Sequence, residues 1–169
     1  MSEPFDEREV SAELLGRLLD EHGPALALYA AQWTASADDC VQEALMELAR
    51  QPQEPQNVLA WLYRVVKHRA MNAARSERRR REREARSMRS RFIAQHRTSF
   101  DRCDTIAIAD ALERLGSSER EIVVMRIWGG LTYDEIAAAL STSTAGAYRQ
   151  YQAALETLRK ILESPCSTR

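Results

Sequence analysis

The stretch TYDEIAAALSTSTAGAYRQYQAALETLRKIL, residues 132–162, decides how the rest of the chain reads. Thr132 followed three residues later by Glu135 is a capping box, and it opens an apolar run from Ile136 to Leu140. Ser141-Thr142-Ser143 is short and polar, the composition of a turn. Beyond it Ala147, Tyr151, Ala154, Leu155, Leu158, Ile161 and Leu162 recur at spacings of three to four, the period of a helix with one buried face. Helix, tight turn, helix is the form of a helix-turn-helix, whose second helix enters the major groove with its N-terminal residues. Those residues are Thr144, Ala145, Gly146, Tyr148, Arg149 and Gln152. Small side chains at 145–147 let the helix end approach a phosphate closely. An ordinary helical hairpin carries the same pattern, so this stretch alone leaves a DNA-binding unit and a packing unit both open.

Working outward, the same period covers nearly the whole of the 169 residues, and alternating strand patterns are absent. Six glycines and five prolines punctuate the chain lightly, so it reads as all-α. A first helical stretch runs from about Ser11 to Asp20 and resumes at Pro24. Ser36 stands as the N-cap of a second, reaching Arg50, with Asp38 and Asp39 at its positive end. In that helix Cys40, Val41, Ala44, Leu45 and Leu48 form an apolar face, while Asp39, Gln42, Glu43 and Met46 lie on another. Residues 51–57, with Pro52 and Pro55, break the pattern before a long helix from Val58 to Ser87. Met88 to Asp104 reads as a linker. Helical spacing resumes at Ile106 and stops at Gly116; Ser118 and Glu121 have capping-box spacing ahead of Ile122 to Met125, and Gly129-Gly130 ends that helix. The architecture expected is two small helical domains, 1–87 and 105–169, joined by the linker 88–104.

The net charge of −1 hides a strong asymmetry. Residues 1–63 carry 3 basic and 12 acidic side chains, residues 64–97 carry 13 and 3, and residues 98–169 carry 8 and 10. A basic block between acidic flanks points to a polyanionic partner for the middle of the chain. All but two of the 24 basic residues are Arg, the side chain suited to bidentate phosphate contacts. Arg78 to Arg81 are consecutive and point all round a helix, so that half cannot bury a face: it is solvated or lies on a partner. Just ahead of it stand Trp61, Tyr63, Arg64, Lys67, His68 and Asn72. Aromatic faces beside cations are what unstacked bases need, although Trp61 at this spacing serves equally well as core.

The remaining chemistry is sparse. Cys40, Cys103 and Cys166 are far apart and odd in number, which argues for reduced thiols rather than a disulfide framework. His22, His68 and His96 sit at no zinc spacing, and no Gly-rich phosphate loop or Cys/His catalytic arrangement occurs. No metal, cofactor or catalytic residue is expected, and an enzyme is the class least supported. The acidic N-terminus lacks an apolar signal core and no stretch approaches the length of a membrane span, so a soluble cytoplasmic protein is expected.

Taken together, these blocks resemble a bacterial sigma factor of the sigma-70 family, in its short extracytoplasmic-function class. Residues 36–48, SADDCVQEALMEL, look like region 2.2. Residues 60–70, AWLYRVVKHRA, with the arginines beyond, look like regions 2.3 and 2.4. Residues 111–115, 119–127 and 130–137 look like region 4. The resemblance implies a transcription initiation factor without catalysis of its own. It implies that Asp38, Asp39, Gln42, Glu43 and Met46 meet the coiled coil of core RNA polymerase. It implies that Trp61, Tyr63, Arg64, Lys67, His68, Asn72, Arg75, Arg78 and Arg79 read and help melt the −10 promoter element. The helix from Thr144 would read the −35 element, and an anti-sigma factor is an expected partner. Where the family usually has Asn this chain has His68, and its recognition helix is poor in cations, with Tyr148, Gln150, Ala153 and Thr157 at comparable places. Promoter affinity is therefore expected to rest more on the region 2 arginines than on region 4. The alternatives are a helix-turn-helix regulator acting without polymerase, which leaves residues 38–48 and 61–67 unexplained, and a helical adaptor, which leaves the helix-turn-helix unexplained.

Overall fold

The computed structural model describes residues 10–87 and 111–163; the expected linker, Ile106, Ile108 and Ala109 lie outside the described residues. The first helix, α1, spans Ala12–Ala30 and is capped by Ser11, whose Oγ accepts the Leu14 amide at 3.1 Å. The interruption expected between Asp20 and Pro24 does not occur, and Pro24 sits inside a continuous helix. A proline in a helix interior costs about 3 kcal/mol. Leu18, Ala25, Leu26, Tyr29 and Ala30 share one buried face on either side of it. Burial contributes roughly 1.5–3 kcal/mol per large apolar side chain, enough to hold the two halves in line.

Helix α2 spans Ala37–Leu48 and buries Cys40, Val41, Ala44 and Leu48. Ser36 occupies the cap position as expected, but its ψ of 46° is not the extended capping conformation and its side chain makes no cap bond. Thr34 organises this corner instead. Its buried hydroxyl accepts the Ser36 amide at 3.1 Å and donates to Glu77 of the next helix at 2.8 Å. Helix α3 is the 30-residue Val58–Ser87. Asn57 caps it, with Oδ1 accepting the Ala60 amide at 2.9 Å. Ala60, Leu62, Tyr63, Val66 and Ala70 bury its first half. Ser76 and the four arginines of 78–81 are exposed, as the arginine-rich sequence dictates.

Among the described residues of the C-terminal unit, 111–114 are helical and lead into α4, Ser117–Val123. The capping box expected at Ser118 and Glu121 is not formed. Gly116 is the cap, and its amide donates to Glu119 Oε2 at 3.2 Å. The helix thus starts earlier than expected, which turns Glu121 inward. A π-helical turn, Val124–Trp128, follows directly and closes on the Gly129 amide, which donates to the Val124 carbonyl at 3.0 Å. Gly130, at φ 68°, reverses the chain into α5, Tyr133–Leu140. The Thr132 and Glu135 box caps α5 reciprocally, as the sequence predicts. Ser141 ends α5 in the left-handed region at φ 54°, and α6, Thr144–Glu163, follows.

The two units do not stand apart. Helix α3 packs on α5, and α1 packs on the π-helical turn. Leu26, Tyr29, Tyr63 and Val66 of the first unit and Ile122, Met125, Leu131 and Ile136 of the second are all fully buried in one continuous core. Glycine at 129 belongs to this seam, because a Cβ there would lie 2.3 Å from the Tyr63 hydroxyl and 2.6 Å from the Met125 carbonyl. A shared core predicts shared unfolding. Leu26→Ala and Ile122→Ala, in opposite units, should each cost about 2–5 kcal/mol. Both should shift the same single urea transition, followed by circular dichroism and tryptophan fluorescence; two separable transitions would contradict the shared core.

Candidate nucleic-acid interface

The residues assigned to the −10 element all lie on α3, and helix geometry divides them. At 100° per residue, Trp61, Arg64, His68, Asn72, Arg75 and Arg79 follow one another along a single stripe. Trp61 is half-buried and the other five are exposed. The Asn72 amide lies 3.3 Å from the His68 ring, and Arg75 donates to Asn72 Oδ1 at 3.4 Å, so the polar part of the stripe is continuous. Eighteen residues at 1.5 Å rise make it roughly 27 Å long. Where it meets α2, Trp61, Arg64, Val65 and His68 line an open groove of about 200 Å³, with Glu47 opposite. An aromatic face, a guanidinium and an imidazole around one groove can stack and hydrogen-bond an unstacked base. Arg78 is exposed on another side of the helix.

Tyr63 and Lys67 belong to a different face. Tyr63 is completely buried, its ring edge-on to Tyr29 with 4.9 Å between centroids. Its hydroxyl has no hydrogen-bond partner among the described residues, and burial raises its pKa. Lys67 points to the C-terminal unit and binds both carboxylate oxygens of Glu121, at 2.7 and 2.9 Å. The Tyr29 hydroxyl donates to the same carboxylate at 3.3 Å. Burial, then the neighbouring negative charge of Glu121, pushes the Tyr29 pKa upward, so its phenol stays protonated as a donor. The Trp33 ring faces the ammonium of Lys67 at 5.7 Å. The sequence therefore named Lys67 and Tyr63 without the partners that hold them. Glu121 sits at the edge of an apolar run, a detectable anomaly, but its spacing also fitted a cap. Nothing local could name Lys67, 54 positions away, as its counterion.

The residues assigned to polymerase all reach solvent from α2: Asp38, Asp39, Gln42, Glu43 and Met46 are exposed. They border a groove of about 370 Å³ lined by Leu19, Gly23, Pro24, Ala27, Asp38, Val41 and Gln42. Glu43 is not free there, because Arg69 forks between Glu43 and Glu47 and clamps α2 to α3. Beneath this face, burial pushes the Cys40 thiol above its usual range, with Glu43 and Asp39 adding to the effect.

On α6, Thr144, Ala145, Tyr148, Arg149 and Gln152 are exposed, but Gly146 is buried against the preceding turn. A Cβ on it would lie 2.7 Å from Thr142 Oγ1. Its amide already donates to Ser143 Oγ at 3.0 Å, and the Thr144 hydroxyl donates to Asp134 at 2.6 Å. Gly146 thus packs the turn rather than facing outward. The Tyr148 ring stands edge-on to Tyr133 at 5.4 Å, which fixes half of an otherwise exposed side chain. Among the described residues no group of three or more His, Cys, Asp or Glu side chains could hold a metal ion.

Comparison with known proteins places the two units in order. The family model for sigma-70 region 2 matches residues 18–80, and that for sigma-70 region 4 matches residues 105–158. The chain is 32% identical over 124 residues to the ECF RNA polymerase sigma factor SigD of Mycobacterium tuberculosis and to that of Mycobacterium bovis. That match covers 69% of this chain but only 58% of the relatives' own length. Among solved structures, the sigma factor RpoE from Bartonella quintana, in complex with the anti-sigma factor NepR, superposes with a TM-score of 0.62. It is 25% identical, over 92% of this chain and 99% of that one. CnrH, solved with the cytosolic domain of CnrY, shares the fold, with a TM-score of 0.60 at 23% identity over 92% of this chain and 91% of that one.

The unpartnered phenol makes one position separable from the rest. Tyr63→Phe removes a buried hydroxyl that lacks a hydrogen bond, so stability in urea should hold or rise by up to about 1–2 kcal/mol. A loss of more than that would show that the hydroxyl is bonded in the folded chain.

Proposed function

The chain belongs to the sigma-70 family, and on that premise we propose that it is a transcription initiation factor of the extracytoplasmic-function class. In this reading it binds core RNA polymerase and directs it to promoters through −10 and −35 elements. It catalyses nothing itself; members of this family are DNA-binding initiation factors. No described helix is long and apolar enough to cross a membrane.

One observation carries the reading. A single three-helix unit presents an acidic and apolar face on α2 and an aromatic-to-cationic stripe on α3. The first suits a basic, amphipathic coiled coil: carboxylates steer and orient it, and the groove beside Leu19 and Ala27 takes its apolar contacts. The second suits a promoter strand passing from bases at Trp61 to phosphates at Arg75 and Arg79. Helix α6 serves the −35 element with Thr144, Ala145, Tyr148, Arg149 and Gln152, of which only Arg149 is cationic. Likeness over 92% of the chain to a sigma factor solved with its anti-sigma factor supports an anti-sigma partner here as well.

The reading is tested by co-elution with bacterial core RNA polymerase. Because Glu43 already pairs with Arg69, the informative variant is Asp39→Arg with Gln42→Ala, which leaves that clamp alone. Wild type should co-elute, and the variant should bind at least about tenfold more weakly, a typical consequence of truncating an interface anchor. If neither binds polymerase while both retain duplex DNA, a regulator working without polymerase replaces this reading. For the DNA contacts, Arg75→Ala with Arg79→Ala should flatten the log–log salt dependence of promoter binding by about 1–2, at roughly 0.7–0.9 for each phosphate no longer neutralised. Arg149→Ala should flatten it by no more than about 1.

A further inference from the structure

The outward face of α6 is built from side chains poorly suited to holding a polyanion by charge. Ala145, Tyr148, Arg149 and Gln152 fall within about 100° of arc on one side of the helix, and all four are exposed. Only Arg149 among them is cationic. Two contacts further disfavour a phosphate at the first turn. The Gly146 amide already donates to Ser143 Oγ, and the Asp134 carboxylate sits beside the turn, where it accepts the Thr144 hydroxyl at 2.6 Å. What this face presents instead is the Tyr148 ring, at 50% exposure. That ring is braced from below. Tyr133 stands edge-on to it at 5.4 Å, Tyr151 stands edge-on to Tyr133 at 5.9 Å, and the Arg126 guanidinium covers Tyr133 at 4.7 Å. Tyr133 and Tyr151 in turn pack against the core. An aromatic side chain held in this way meets a partner with little further loss of rotamer freedom.

We propose that Tyr148 is a specificity-determining residue whose ring takes the 5-methyl group of a thymine in the major groove, with the Ala145 methyl extending the apolar surface one turn earlier. The proposal rests on the reading of α6 as the helix that meets the −35 element, and it names the chemical group read there. The major groove narrows the choice. Its base edges carry hydrogen-bond donors and acceptors on every base pair, but among the four bases only thymine offers an apolar group, the methyl on C5. A braced ring beside a small alanine is complementary to that methyl and to nothing else on the groove floor. Arg149 and Gln152 complete the face with hydrogen-bonding groups, the first suited to the O6 and N7 of guanine and the second to the N6 and N7 of adenine. The Tyr148 hydroxyl is not needed for an apolar contact, so phenylalanine should replace it without loss. Because the contact buries apolar surface and neutralises no phosphate, the preference it creates should hold as salt rises while overall affinity falls.

The test uses the full chain with bacterial core RNA polymerase and a duplex DNA library of random sequence. Duplexes retained by wild type, Tyr148→Phe and Tyr148→Ala are sequenced. A preference that survives in Tyr148→Phe and disappears in Tyr148→Ala marks the position read by the ring, and it should be a thymine on one strand. An enriched duplex is then resynthesised with deoxyuridine, which lacks only the 5-methyl group, at that position. Wild type and Tyr148→Phe should bind the uracil duplex about fourfold more weakly than the thymine duplex, the value of burying one methyl group. Tyr148→Ala should bind the two equally. Each ratio is taken within one variant, so a general loss of affinity cancels. A Tyr148-dependent position that is not thymine overturns the proposal, as does a motif that Tyr148→Ala leaves intact. Should Tyr148→Ala bind no DNA at all, wild type decides: substituting each thymine of its motif by uracil without any loss of affinity overturns the proposal. Loss of polymerase co-elution in Tyr148→Ala alone would make Tyr148 a polymerase contact and overturn it as well. In all these cases polymerase binding by wild type leaves the sigma reading standing. If wild type neither binds polymerase nor enriches any sequence, that reading fails and the proposal fails with it.

Discussion

A carboxylate removed from water must be paired, and in this protein that requirement ties the two units together. Among the described residues Glu121 finds its partners across the seam, in Lys67 and Tyr29 of the other unit. Such pairs add little net stability compared with well-packed apolar groups, because desolvation consumes most of their Coulombic gain. Their effect is on arrangement. Losing one partner leaves the other buried and unsatisfied, so few alternative packings of the units are tolerable. Around the pair the apolar contacts of Tyr29, Tyr63, Leu131 and Met125 supply the bulk of the burial. The ion pair selects the geometry and the apolar contacts hold it.

The long helix α3 shows how one element serves incompatible surroundings. Its first half is dry on the face of Leu62, Tyr63, Val66 and Ala70 and wet on the face of Arg64 and His68. Past Ala74 the arginines leave no face that could be buried without many unpaired charges. Besides the Lys67–Glu121 pair, side-chain contacts to the first unit anchor this helix despite its charge. Arg69 forks to Glu43 and Glu47 of α2, and Glu77 accepts the buried Thr34 hydroxyl. Both use charged groups of the basic block for internal architecture, so the block is not uniformly available to a polyanion.

The C-terminal unit carries its own compromise. Ser141 adopts a left-handed conformation that glycine takes at less cost, and the start of α6 is held by Ser143, Thr144 and Gly146 bonding inward. Side-chain hydroxyls hold the turn, and Gly146 lets it pack closely. The same bonds satisfy the α6 amide that a phosphate would otherwise approach at residue 146. With Tyr148 leaning on Tyr133 and a single cation at Arg149, the outward end of α6 offers shape and polarity more than charge.

What the sequence determined by itself was everything governed by local period and local chemistry. The 3.6-residue spacing of apolar side chains located the helices, and Thr132 with Glu135 placed the start of α5 correctly. Reading failed where a local signal had two uses. Pro24 looked like a break, Ser36 like a bonded cap and Glu121 like a capping-box glutamate. At Pro24 burial on both sides outweighed the local preference, whereas at Ser36 and Glu121 a neighbouring group took over the cap, Thr34 in the first case and Gly116 with Glu119 in the second. The α2 face and the outer stripe of α3 were legible because exposure follows from amphipathic spacing. The inner face was not. Whether Tyr63 and Lys67 meet solvent, nucleic acid or the other half of the chain depends on which surfaces the two units bring together. Only the tertiary structure decided that, through a counterion 54 residues away that no helical period can reach.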